Sequence, residues 1–119
     1  MLWAGHGIEK LKICTMAVLF DFNKIIGFPY EERQKNVLYK TSDFKIRVVD
    51  IPENGTMPEC DMETNVVFVV MQGQVDITVN GQIHNLNEKQ SLISEPAVFS
   101  MFSPKGAKLM GIQIKKLDS

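Results

Sequence analysis

The chain has 119 residues, 45% of them apolar, and 13 Lys and Arg against 14 Asp and Glu for a net charge of −1. That length predicts one compact unit around a single core, which removes roughly 60–70% of the unfolded surface from water. Apart from Lys115 and Lys116 the cations are scattered, so no surface that tracks phosphates emerges and nucleic acid is not an expected partner.

In chain order, residues 1–13 read MLWAGHGIEKLKI, and Glu9, Lys10 and Lys12 interrupt any apolar run that could serve as a signal-peptide core. The two cysteines, Cys14 and Cys60, make neither a dense disulfide scaffold nor a C-x-x-C pair, which fits reduced thiols in a cytoplasm. Met16 opens MAVLFDFNKIIGF, a natural beginning. Residues 1–15 are therefore expected to be an upstream-start extension or a disordered arm ahead of a single domain, 16–119. The alternative is a short amphipathic helix presenting Leu2, Trp3, Ile8, Leu11 and Ile13 to a partner. The longest apolar stretch, Val66 to Met71, is six residues. A spanning helix needs about 20, so no membrane span is expected.

From residue 36 onward the period is that of strands. Asn36 to Thr41 predicts one strand and Asp43 to Ile51 another, in which Phe44, Ile46 and Val48 alternate with Lys45 and Arg47. Pro52 to Gly55 breaks the chain, Met57 to Glu63 is extended and polar, and Asn65 to Gln72 is apolar enough to be buried on both faces. Gly73 bends the chain into Gln74 to Val79. Asn80-Gly81 is a strong hairpin signal, because both residues tolerate positive φ, and Gln82 to Leu86 returns. Ser91 to Ser94, Ala97 to Phe102 and Ala107 to Lys116 follow, separated by polar turns. About eight short strands with no internal repeat predict an all-β sandwich or small antiparallel barrel.

The stretch GTMPECDMETNVVFVVMQGQVDITVNG, from Gly55 to Gly81, resembles the first motif of the cupin superfamily, G-x5-H-x-H-x3-E-x6-G. QSLISEPAVFSM resembles the second, G-x5-P-x-G-x2-H. The resemblance covers residues 36 to 116 and implies a double-stranded β-helix of jelly-roll type. Counting back from Gly73 puts Cys60 and Met62 at the two histidine positions and Val66 at the glutamate, with the glycine anchor one residue out of step. Counting from Pro96 puts Met101 at the last histidine, or Ser100 if the loop is one shorter. Every usual ligand type is absent, and the only histidines, His6 and His84, lie elsewhere. No metal or other cofactor is therefore expected.

Register decides which side chains enter the cup. Cys60 and Met62 are content in an apolar interior, whereas unpaired carboxylates are not, so Glu59, Asp61 and Glu63 are read as a solvated face. Calcium or magnesium on that acidic trio is the sharper alternative. The expected cup lining is Cys60, Met62, Val66, Phe68, Ser100 and Met101, with Asn65 and Ser100 able to orient a ligand. The sulfurs of Cys60, Met62 and Met101 suit core filling better than copper(I) ligation. No catalytic residue is assigned: carboxylates are the charges nearest Cys60 in sequence, Ser100 lacks a triad, and His84 has no second histidine near it. The reading is a non-catalytic, metal-free protein that binds a small apolar or amphipathic ligand or acts as a dimeric sensor or accessory module. The resemblance implies a homodimer covering Val67, Val69 and Met71. The alternatives are a small cupin isomerase or dioxygenase-like enzyme with an atypical metal site or none, drawing on Glu59, Glu63, Glu95 or His84, and a structural partner-binding protein with a filled cup and an apolar patch.

Overall fold

The computed structural model describes residues 17–115. The expectations for residues 1–15 lie outside them. Eight strands follow one another: β1 Val37–Lys40, β2 Phe44–Ile51, β3 Gly55–Met62, β4 Asn65–Val79, β5 Gln82–Asn87, β6 Ser91–Ser94, β7 Ala97–Ser103 and β8 Ala107–Ile114. All strand pairs are antiparallel. No helix of the described residues is long and apolar enough to cross a membrane.

The segments 65–72 and 74–79, expected as two strands, are one continuous strand of 15 residues. Its first half pairs with β8 and β6, its second half with β7 and β5. β4 thus belongs to two sheets, β1-β2-β8-β4-β6 and β3-β7-β4-β5, which face each other across the core. A register shift between Val70 and Gln72 and a positive φ of 82° at Gly73 turn the strand from one sheet into the other. The shift also changes side-chain parity, so that Val66, Phe68 and Val70 before it and Val75 and Ile77 after it all point inward and are buried. The hairpin at Asn80 and Gly81 has φ of 48° and 86°, as its sequence predicts.

The run 65–72 departs from expectation in one respect. Val66, Phe68 and Val70 are buried, but Val67, Val69 and Met71 are only half-buried, because nothing in the described chain covers their side of the sheet.

Residues 17–36 carry no regular strand and run along the β2 edge of the first sheet. Phe28 makes a parallel bridge to Val49, its N–H donating to Val48 O (3.4 Å) and its carbonyl accepting from Asp50 N–H (3.0 Å). Gly27 lies against the Asp50 carboxylate, where a side-chain carbon would overlap Asp50 Oδ1. Lys108 Nζ donates to Ile25 O at 2.6 Å. The segment ends at Asn36, 3% exposed, whose amide donates to Pro29 O (3.3 Å) and accepts from Arg47 Nη1 (2.5 Å).

Three substitutions test these features. Gly73→Ala should cost about 2–4 kcal/mol, since positive φ is combined with overlap on the Gly106 carbonyl. Gly81→Ala, with φ of 86° but nothing within 4 Å, should cost only about 1–2 kcal/mol. Urea midpoints measure both. Asn36→Ala strips partners from Arg47 and Pro29 O and should cost about 1–3 kcal/mol, read as lowered stability and faster proteolysis between residues 17 and 35.

Candidate functional site

The facing sheets enclose a cavity of about 50 Å³. Its lower wall is apolar, formed by Val49, Met57, Phe68 and Leu109. Phe68 stands edge-on to Phe99 with ring centroids 5.4 Å apart, and the pair fills the space beneath. Gly111 leaves the gap open: it is flanked across the ladders by Arg47 on β2 and Phe68 on β4, and a Cβ there would stand 3.3 Å from the Phe68 ring.

The mouth is polar and cationic. Tyr30 and Arg33 reach it from the leading segment and Arg47 from β2, while Cys60 and Met62 from β3 line the cavity beside them. Arg33 Nη1 donates to the Tyr30 phenol at 3.0 Å, and its guanidinium carbon lies 5.2 Å from that ring's centroid. Arg47 Nη1 also donates to Arg33 O at 2.6 Å. Burial, a hydrogen bond to Cys60 and the charge of Cys60 hold the Tyr30 phenol above its ordinary pKa, against the opposing pull of Arg33. Burial first, and then the like charge of Arg33, weaken the hold of Arg47 on its proton; guanidinium basicity keeps it charged all the same. Lys45, two residues before Arg47 and on the same face of β2, is pushed down by burial and then by Arg47, Lys40 and Arg33.

β3 sets the parity of the site. A register shift between Met57 and Cys60, spanning Pro58, turns both Met57 and Cys60 toward the interior. Met57 is buried, Cys60 and Met62 are half-buried, and Glu59, Asp61 and Glu63 are exposed. Carboxylates therefore do not surround the Cys60 thiol, although they are its nearest charges in sequence. Neighbours along a strand face opposite sides, and the charges that share the cavity with Cys60 are Arg33 and Arg47.

Of the six residues expected to line the cup, Cys60, Met62 and Phe68 line the cavity. Val66 and Met101 point inward but belong to the packed core, 0% and 3% exposed. Ser100 is corrected: Ala97, Phe99, Met101 and Ser103 are the inward set of β7, so Ser100 stands on the other face, beside Thr78. Asn65 is exposed at the start of β4 and does not reach the cup. Tyr30, Arg33, Arg47 and Gln113 went unforeseen there. Only the alternation around Arg47 carried a signal, since one face of β2 had to point inward.

The donor set does not fit the divalent metal of metal-binding cupins. One thiol and one thioether face two guanidinium cations, which repel a third cation. Among the described residues, no group of three or more His, Cys, Asp or Glu is placed to hold a metal ion. Met101 lies in the core and apart from the cavity, so the sulfur trio Cys60, Met62 and Met101 does not meet around it. His84 is on β5, outside the cavity lining, and no carboxylate of the described residues lines it.

No family model matches the sequence, and no curated protein matches it. Solved structures do resemble the fold. A conserved protein of unknown function from Streptococcus pyogenes superposes with a TM-score of 0.63 at 12% identity, covering 69% of this chain and 73% of that one. A cupin superfamily protein from Desulfitobacterium hafniense DCB-2 gives 0.63 at 15% identity, covering 67% and 74%. The Cnp3 cupin domain of Schizosaccharomyces pombe gives 0.61 at 20% identity, covering 67% and 62%. With its two facing antiparallel sheets sharing one bent strand, this chain has the cupin fold, a double-stranded β-helix.

Proposed function

We propose that this chain is a non-catalytic cupin-fold module that works as a homodimer, joined through the outer face of its first sheet. One observation carries the reading. Register aligns Ile46, Ile112, Val67 and Ile93 in a row across β2, β8, β4 and β6, and Met110 beside Val69 in the next row. Ile93 is 75% exposed and Ile114, in the row beyond, 40% exposed. Four strands at about 4.8 Å spacing make this a continuous apolar patch of the kind that marks an interface. The outer face of the second sheet is mixed: Glu59, Asp61, Thr78, Ser100 and an Asn85–Asp76 hydrogen bond of 2.5 Å interrupt Ile83 and Phe102, which are 68% and 39% exposed, so no uncharged apolar row crosses it.

A second copy is the occupant that fits. Both rows are free of charge, so two identical faces meet about a two-fold axis without like-charge repulsion. Among the described residues no His or carboxylate lines the cup to act as a base toward Cys60, which supports a binding or accessory role over catalysis. The cavity, about 50 Å³, suits a small ligand rather than a large one.

Light scattering behind size exclusion tests the assembly. Wild type should run at twice the 13.5 kDa chain mass. Val69→Asp and Met110→Asp each bury a charge at the centre of the interface and should weaken association by about 3 kcal/mol or more, giving folded monomers. Ser100→Asp on the other sheet should stay dimeric. A monomeric wild type at high concentration, or dimers in both Asp variants, would overturn the proposal.

A further inference from the structure

We infer that the cup binds a small carboxylate, its head on Arg33 and Arg47 at the mouth and its short apolar body against Met62, Phe68 and Leu109. This rests on reading the cup as a ligand pocket and names the ligand's chemistry. Arg47 spends Nη1 on two neutral acceptors, Arg33 O and Asn36 Oδ1. Among the described residues the ion pairs are Lys24 with Asp21 and Lys35 with Glu32, so neither arginine has a carboxylate partner. Arg47, half-buried at the rim of an apolar cavity, carries a desolvation cost that an anion would offset, and exposed Arg33 brings a second cation beside it. A guanidinium presents paired N–H groups in the spacing of a carboxylate, and Arg33 also fixes the Tyr30 phenol beside it.

Size and lining choose among anions. A cavity of about 50 Å³ takes roughly three or four water-sized groups. Its wall below the arginines is Met57, Phe68 and Leu109, which offer no donors, so the outer oxygens of a phosphate would be stranded there. A carboxylate places both oxygens on the rim and leaves only carbon to bury.

Isothermal titration of the full chain with butyrate, inorganic phosphate and n-butanol tests this. Butyrate should saturate at about millimolar concentration, with phosphate and butanol at least about tenfold weaker. Arg33→Gln and Arg47→Gln should each weaken butyrate by about tenfold. Because Arg47 also secures the leading segment, thermal melting accompanies its variant, and exposed Arg33 serves as the variant that leaves the fold undisturbed.

Alkylation gives an independent reading. The Cys60 thiolate attacks the methylene of iodoacetate or iodoacetamide, a C–S bond forms, iodide leaves with the C–I electron pair, and the thiol proton passes to solvent. Peptide mapping should find the iodoacetate-to-iodoacetamide ratio at Cys60 raised in the folded protein over its value in urea, and butyrate should suppress it. No saturable butyrate binding, phosphate binding as tightly as butyrate, binding unchanged in both arginine variants, or an unraised alkylation ratio would each overturn the inference. Dimers that fail to bind would remove this inference alone, and monomers that bind butyrate would remove the assembly reading alone.

Discussion

The whole architecture depends on one strand that serves two sheets. β4 runs 15 residues, and its halves pair with different partners because Gly73 takes a φ of 82° that a side chain would resist. The backbone of Gly106 occupies the place where a Cβ at residue 73 would stand. Strand continuity is what holds the two sheets at a fixed distance and angle. The bulge beside it restores inward parity, so Val66 and Ile77, on opposite sides of the bend, enter the same core. Without that correction the inward set of one half would face water and its outward set the core.

A second irregularity sets the character of the cup as the first sets its shape. The register shift over Pro58 brings Met57 and Cys60 inside and leaves Glu59 and Asp61 outside. Across the cavity, unbroken alternation on β2 sends Arg47 inward from between Ile46 and Val48. The opening between them exists because residue 111 is glycine, which lets the Phe68 ring lie where a side chain would otherwise reach. Sulfur and apolar carbon form the interior and guanidinium forms the rim, the inverse of the imidazole and carboxylate set that a divalent cation requires.

Most of the fold was legible because strand signals are local. The alternation of Phe44 to Val48, the Asn80-Gly81 turn and the paired breaks at Pro52 and Pro104 each act within a few residues, and the structure follows them. The inward placing of Cys60 and Met62 was legible too, from the cost of burying carboxylates. The site's other half was not. Tyr30 and Arg33 lie in a segment without period, and they reach the cup only because Phe28 docks on Val49 and Asn36 holds Pro29 and Arg47 together. Such long-range contacts leave no mark in a hydrophobic pattern. Ser100 stood for the case of a loop one residue shorter, and the plain alternation of Ala97, Phe99 and Met101 turns it to the other face while Met101, the direct count, points inward.

A net charge of −1 describes this molecule poorly, because the fold separates the signs that the sequence intersperses. Arg47 and Lys45 turn inward from β2, where burial weakens their grip on protons, while Glu59, Asp61 and Glu63 face outward from β3. The outer face of the first sheet is left nearly free of charge, except where Asp50 and Lys108 stand opposite each other under the leading segment, Asp50 against Gly27 and Lys108 held by Ile25 O. Three surfaces of different chemistry result: a sheet face on which acidic and polar groups break up Ile83 and Phe102, a sheet face with uncharged apolar rows, and a cup mouth whose arginines have no carboxylate side chain beside them among the described residues. The last two are costs that the described chain leaves unbalanced, and each points to a different missing partner. Apolar area is satisfied by any neutral matching face, which the proposed second copy would supply; half-buried guanidinium is best satisfied by negative charge, which neither sheet's interior offers.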